Sequence, residues 1–366
     1  MNREIVIVGG GFLGMLAARE LIAEGARVTI FDRHHLGRES SWAGGGILSP
    51  LYPWNYPDAI NRLARWSQHH YPDLMRALLE STGVDPEWVR SGLLILEGAD
   101  RDRAAKWAET YSFSLRTVEN SEIEEIQPGL ATEGQGGIWL PDIAQVRNPR
   151  LLAALRRDLE DKGVDFRENS PVEAISHSAG RFRAVRTSDG DFSGDQCLVT
   201  AGAWTRAILQ PTGLNLEIGP VMGQMLLLRA HPQQLTRIVL RNRRYMIPRR
   251  DGRILVGSTM EDVGFDKHVT GSAAQDLRAA ALNLMPALDN APVEMQWAGL
   301  RPSSPDGIPY MGRHPAIEGL YVCAGHFRNG FAIGPASARM TVDLMTGREP
   351  ILDPAPYDPG SRTVSD

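Results

Sequence analysis

Three glycines near the start, Gly9, Gly11 and Gly14, satisfy the spacing G-x-G-x-x-G between a β-rich run and a helical run. At that junction each has a steric task. The first makes a tight turn, the second lets a pyrophosphate approach the backbone, and the third lets helix and strand pack closely. The first-turn amides of the helix would then face the phosphates. Asp32 follows Gly14 by eighteen residues at the end of the next strand-like run, where its carboxylate can accept hydrogen bonds from a ribose and would repel a 2'-phosphate. This chemistry is dinucleotide binding, and the motif by itself leaves FAD and NAD both open. The stretch after it, Glu39 to Leu48 (ESSWAGGGIL), is too rich in small residues for a helix or strand interior. It reads either as backbone lining a cofactor or as a flexible linker.

The elements that position these residues follow from periodicity. Residues 4–8 (EIVIV) and 27–31 (RVTIF) read as buried strands, and residues 12–24 carry apolar positions at helical spacing, ended by Gly25. The first 32 residues are thus a β-turn-α-β unit. From Leu51 to about Val146 the pattern is irregular, with a helical stretch from Ile60 to Leu79. Helix and strand rhythm returns with Leu151 to Lys162, Val164 to Arg167 and Cys197 to Thr200, then a strand-rich stretch from Val221 to Thr259 and a buried strand at Leu320 to Ala324.

A chain of 366 residues exceeds what one compact core usually accommodates, so two domains are expected. We place the nucleotide domain in residues 1–50, 147–215 and 305–349 and the second domain in 51–146 and 216–304. Residues 350–366, rich in Pro, Asp, Gly and Ser, read as a mobile tail. The net charge of -5 offers no broad positive field to nucleic acid. No apolar run reaches the roughly 20 residues of a membrane span. The N-terminus breaks a signal-peptide pattern at Glu4 and the glycines, which favours a cytoplasmic protein. The two cysteines, Cys197 and Cys323, have neither disulfide-framework nor metal-ligand spacing, so no metal is expected. The arginines between Arg237 and Arg253 alternate with strand positions and turns and read as a solvated or subunit-facing sheet edge in preference to a nucleic-acid patch.

Taken singly, Arg301 in WAGLRP reads as a surface or cap residue in a turn, and Tyr245 as a half-buried strand aromatic. Together with other segments they carry a resemblance. The N-terminal fingerprint, SSWAGGGIL, Val172 in PVEAI, AGAW at 201–204, YMIPR at 245–249, WAGLRP at 297–302 and AGHFRNG at 324–330 resemble the D-amino acid oxidase family of flavoproteins over nearly the whole chain, and within it the branch that acts on glycine in the thiazole part of thiamine biosynthesis. The resemblance implies an α/β fold, a Rossmann-like FAD-binding domain interleaved with a mixed-sheet α+β substrate domain. It implies non-covalent FAD held by Gly9, Gly11, Gly14, Asp32, Ser41, Gly45, Gly46, Ile47, Leu48, Val172, Gly202, Arg301, His326, Arg328, Asn329 and Gly330. It implies that Arg301 pairs with a substrate carboxylate, that Tyr245 helps hold it, that Arg328 lies beside the amino group and the flavin, and that Ile47 and Met260 shape the pocket. His326 is a loop residue in this reading, with no role as a base.

The implied reaction is oxidative deamination of glycine and other small amines such as sarcosine and D-alanine. Hydride passes from the α-carbon to flavin N5, and O2 reoxidises the flavin to give H2O2 and an imine usable in thiazole synthesis. The implied assembly is a homotetramer. An Arg fork grips a carboxylate bidentately, which Lys cannot copy. Alternatives are a D-amino acid dehydrogenase passing electrons to a quinone, an N-methyl amino acid oxidase, a nicotinamide-dependent dehydrogenase, and a non-catalytic FAD-binding subunit. The last would leave Tyr245, Arg301 and Arg328 without a purpose.

Overall fold

The computed structural model describes residues 3–363 apart from 98, 99, 133 and 135. Two sheets organise it. The first has six strands in the order Tyr310–Arg313, Leu320–Ala324, Gln196–Val199, Glu4–Val8, Arg27–Phe31 and Asp165–Arg167. All neighbours are parallel except the first pair. Glu4–Val8 is buried on both faces, as parallel strands are. Ile5 and Ile7 enter a core built with the helices Phe12–Ala23, Asn148–Asp161 and Gly330–Thr346, whereas Val6 and Val8 pack toward the three-stranded sheet of residues 174–193.

The second sheet has eight strands in the order Val293–Ser303, Gly219–Arg229, Arg253–Gly257, Arg244–Pro248, Ile238–Arg241, Leu93–Ile95, Gly137–Leu140 and Arg116–Val118. It is mixed, with Leu93–Ile95 parallel to Ile238–Arg241 and every other pair antiparallel. One face is covered by the helix Gly271–Leu284 through Leu277, Ala281 and Leu284. The opposite face carries Met225, Tyr245, Ile247 and Leu255, and Ile47 from the glycine-rich segment packs there.

Strand boundaries at 4–8, 27–31 and 320–324 coincide with the periodicity. Three features differ from the sequence reading. The helix Asp58–Thr82 lies in a stretch assigned to the second domain, yet its apolar face of Ile60, Leu63, Ala64, Tyr71, Met75 and Leu78 packs in the first sheet's helical core. Tyr71 Oη there donates to Phe331 O at 2.5 Å. WAGLRP is no turn; it lies within the edge strand Val293–Ser303, whose position at the rim tolerates Pro302. Finally, residues 350–363, expected as a mobile tail, make specific contacts with the body of the fold. Tyr357 is 1% exposed and its hydroxyl donates to Ala59 O at 2.7 Å, while Arg362 donates to Pro309 O and Ile308 O. Composition announced flexibility, but one aromatic and one arginine found partners. Residues 364–366 of that expected tail lie outside the described residues.

His314, just after the first sheet's edge strand, gives a pH prediction. Its Nδ1 accepts from the amides of Ala316 and Ile317, each at 3.1 Å, so Nε2 carries the proton and donates to Thr212 Oγ1 at 3.0 Å. Burial pushes the imidazole down to about 4. A base whose folded value lies below its unfolded value binds fewer protons when folded. Stability therefore holds above the unfolded value near 6.5 and falls as pH drops from about 6.5 toward about 4. Urea midpoints across that window are expected to fall less steeply in His314→Gln than in the parent. Parallel slopes in the two proteins would refute it.

Candidate active site

A cavity of about 520 Å³ lies where the two sheets meet. At one end are Gly9, Gly11, Asp32, Ser41, Val172 and Gly202, and at the other Tyr245, Ser258, Arg301 and Arg328, with Gly45, Gly46, Ile47, His326 and Gly330 also lining it. Most of the residues singled out from the sequence are thus brought together.

The glycine turn is built as its spacing demands. A Cβ on Gly14 would stand 2.1 Å from Gly9 O, so helix and turn close only around a bare backbone. Asp32 Oδ2 accepts from Gly10 N at 2.8 Å and Oδ1 from His34 N at 2.9 Å. The carboxylate therefore braces the turn as well as bordering the cavity, and burial raises its pKa against these two bonds. Ser41 Oγ accepts from Phe12 N at 2.9 Å, which ties the following segment to the first turn of the helix.

That segment is no linker. After the short helix Ser40–Ala43, Trp297 Nε1 donates to Ala43 O at 3.1 Å and Val146 N to Gly46 O at 2.9 Å. Arg249 Nη2 donates to Gly45 O at 2.8 Å, and its Nη1 to Gln145 Oε1 and Val146 O. Arg249 belongs to the arginine cluster read as a solvated or subunit-facing edge; it is instead buried, and burial pushes its pKa down to about 10. Its neighbours Arg250 and Arg253 pair with Asp85 and with Asp251 and Glu294.

At the other end Arg301 reaches across the adjacent strand. A Cβ on Gly223 would sit 2.1 Å from Arg301 Nη2, and one on Gly257 would sit 2.4 Å from Tyr245 Cε2. Both side chains lie flat over glycines of neighbouring strands. Arg301 Nη2 donates to Ser258 Oγ at 2.6 Å, and Nη1 to Met222 O and Thr259 O, each at 3.2 Å. Burial foremost lowers its pKa; Tyr245 opposes that and the nearby Arg328 charge reinforces it. Among the described residues no carboxylate pairs with Arg301, so a half-buried cation faces the cavity with only neutral partners. An uncompensated buried charge is costly, and a bound anion is what would offset it.

Some expected residues stand elsewhere. Met260 is 53% exposed and does not line the cavity, because the chain leaves the sheet at Ser258 and turns outward. Leu48 is buried in the helical core behind the lining, and Asn329 is buried at the N-cap of Gly330–Thr346. Gly14 acts from beneath Gly9. Conversely, Ser258, Gly223 and Gly257 carry no motif, and Arg249 closes the YMIPR segment with no role assigned by the sequence; their roles come from strand pairing that only the folded sheet sets.

The residues present fit a dinucleotide. Both ring nitrogens of His326, which lines the cavity, are buried without a hydrogen-bond partner, and burial holds the imidazole down at about 3, hence neutral. Buried polar groups are seldom left unpaired, so these await a ligand rich in donors and acceptors.

The model for FAD dependent oxidoreductases of the DAO family matches residues 4–344. The chain belongs to this family. It is 47% identical over 363 residues to a glycine oxidase of Pseudomonas aeruginosa, covering 99% of this chain and 100% of that one. It is 32% identical to a bifunctional ThiO/ThiG protein of Synechocystis over 93% of this chain and 51% of that protein. The solved glycine oxidase of Geobacillus kaustophilus superposes with a TM-score of 0.93 at 29% identity, covering 100% of both chains. The cofactor of this family member is accordingly FAD, and the expected fold class holds. None of its helices among the described residues is long and apolar enough to cross a membrane. No cluster of His, Cys, Asp or Glu among those residues could hold a metal.

Asp32 supplies a check on how the FAD is held. Asp32→Ala removes a charged acceptor at the nucleotide end and two braces of the turn, so the Kd for FAD is expected to rise at least ~10-fold, at roughly 1.5–3 kcal/mol per charged hydrogen bond lost. Titrating apoprotein with FAD measures it, and parental affinity would remove Asp32 from the cofactor site.

Proposed function

We propose that this enzyme oxidises glycine and small related amines, sarcosine and D-alanine among them, as a glycine oxidase whose imine product serves thiazole formation in thiamine biosynthesis. The observation that carries the reading is Arg301, a half-buried guanidinium on the cavity wall with no carboxylate of its own among the described residues. The substrate carboxylate supplies the missing anion. Tyr245 beside it adds a hydroxyl, and Arg328 makes the same end of the cavity strongly positive, which favours the anionic group and disfavours a protonated amine.

FAD, when bound, accepts the hydride at N5 and passes the electron pair to O2. The chain's part is orientation: a small substrate held at its carboxylate has few ways to present its Cα–H, and positioning of that kind supplies much of a rate enhancement. Loss of hydride from Cα and of a proton from nitrogen leaves the imine, which water hydrolyses to glyoxylate and ammonia; O2 gains two electrons and two protons as H2O2. Neutral His326 is not needed as a base. Arg301, Tyr245 and Arg328 form the substrate end; Gly9, Gly11, Gly14, Asp32, Ser41, Gly45, Gly46, Ile47, Val172, Gly202, His326 and Gly330 hold the cofactor. In this reading the first sheet and its helices form the FAD domain, the second sheet the substrate domain, and the protein works as a cytoplasmic homotetramer. Two observations support FAD being non-covalent. Cys323 borders the cavity only from within a strand, and Cys197 is fully buried.

Anaerobic addition of glycine to the yellow protein is expected to bleach the flavin, and admission of O2 to restore it with H2O2. No bleaching with glycine, sarcosine or D-alanine would overturn the substrate class. Bleaching followed by reoxidation only with a quinone would make the enzyme a dehydrogenase.

A further inference from the structure

The segment between the strand Arg253–Gly257 and the helix Gly271–Leu284 makes contacts that the substrate chemistry does not use. Its two ends are pinned to the second sheet. Glu261 and Met222 exchange both backbone hydrogen bonds at 2.9 and 3.0 Å. Thr270 N donates to Gln224 Oε1 at 2.8 Å, and Gln296 Nε2 to Thr270 O at 2.9 Å. Between these anchors every residue from Asp262 to Val269 is exposed, including the large apolar Val263, Phe265 and Val269.

Two side chains of this loop reach the first sheet's unit, and both touch cavity-lining residues. The Phe265 ring lies 5.3 Å from that of Trp204, tilted by 32°. Lys267 Nζ meets Glu39 Oε2 at 2.9 Å. Trp204 and Glu39 both line the cavity, at its nucleotide end. Arg33, next to Asp32, stands with its guanidinium carbon 4.5 Å from the Trp204 ring centre, and His34, whose amide binds Asp32, lies 3.9 Å from Glu39.

We propose that residues 261–270 are a clasp across the nucleotide half of the cavity, and that Phe265 and Lys267 hold FAD in place by closing the second sheet's unit over it. The inference rests on FAD occupying this cavity with its ribose toward Asp32. The clasp is far from Tyr245 and Arg301 in role: it governs how long the cofactor stays, and leaves the hydride step alone. Neither contact is strong by itself, which suits a closure that must open for FAD to enter. An aromatic pair and an exposed ion pair are each worth a modest factor in a rate.

The test is the rate at which FAD leaves diluted holoenzyme, followed by the rise of free-flavin fluorescence. Phe265→Ser is expected to release FAD about 2- to 12-fold faster than the parent. Lys267→Ala is expected to release it up to about 5-fold faster, an effect that vanishes in high salt because the pair is exposed. The double variant should combine both, while the rate of anaerobic flavin reduction by glycine at saturating FAD stays within about twofold of the parent. Limited proteolysis adds a readout independent of turnover: apoprotein is expected to be cut within residues 262–269, and FAD to protect those sites. Parental release from the double variant overturns the clasp. So does an apoprotein melting temperature that falls enough in the variants to account for the faster release, or cleavage that FAD leaves unchanged. Failure of glycine to bleach a flavin that is nevertheless retained would strike the proposed substrate and leave the clasp standing.

Discussion

Arg301→Lys is expected to lower kcat/KM for glycine by roughly 10- to 150-fold, the equivalent of ~1.5–3 kcal/mol for a charged, buried hydrogen-bonded contact. Lysine keeps the charge but offers a point donor in place of a fork, and it cannot reach Ser258 Oγ, Met222 O and Thr259 O together while also meeting a carboxylate. Those three bonds are what aim the guanidinium. With them lost, the carboxylate is still attracted and no longer oriented, so kcat is expected to fall along with a rise in KM. A simple amine without a carboxylate never used the fork, and its kcat/KM should change little. Steady-state kinetics on glycine and ethylamine with both proteins decide the matter. Equal losses on the two substrates, or none on glycine, would remove Arg301 from the carboxylate site.

What sequence could say about this site depended on whether the information was local. The G-x-G-x-x-G turn and Asp32 lie within one β-turn-α-β unit, so spacing alone located that unit, and its two strands pair in parallel as expected. The strands at 4–8 and 320–324 are buried on both faces and therefore read as nearly unbroken apolar runs, and RVTIF at 27–31 is interrupted only by the half-buried Thr29 after its exposed first residue. Long-range features were illegible. The helix Asp58–Thr82 shows its amphipathic face plainly, but nothing in its periodicity says which core that face enters. Arg249 looked like its exposed neighbours because an arginine's burial is decided by partners such as Gly45 O, a contact spanning 204 residues of chain. Met260 follows Gly257, Ser258 and Thr259, which do stand at the site, and a chain that turns outward after them carries it into solvent.

The same limit hides Gly223. It sits in the strand Gly219–Arg229 opposite Gly299, one pair along from Leu300 and two from Arg301, and no sequence motif marks it. Gly223→Ala would place a methyl 2.1 Å from Nη2, 2.2 Å from Nη1 and 2.3 Å from Cζ of Arg301. Every atom met is the far end of one flexible side chain and none is backbone, so the protein can accommodate the methyl by moving the guanidinium aside. The fold then loses little: alanine is also no worse than glycine in a strand, and the melting temperature is expected to shift by no more than a few degrees. The site loses its fork. We expect kcat/KM for glycine to fall about as far as in Arg301→Lys, roughly 10- to 150-fold, with ethylamine spared. Because both substitutions act through one guanidinium, the double variant is expected to be scarcely worse than either single one, whereas independent effects would multiply. A Gly223→Ala enzyme with parental kinetics, or a double variant whose losses multiply, would mean that the flat passage of Arg301 over Gly223 is not what positions the clamp.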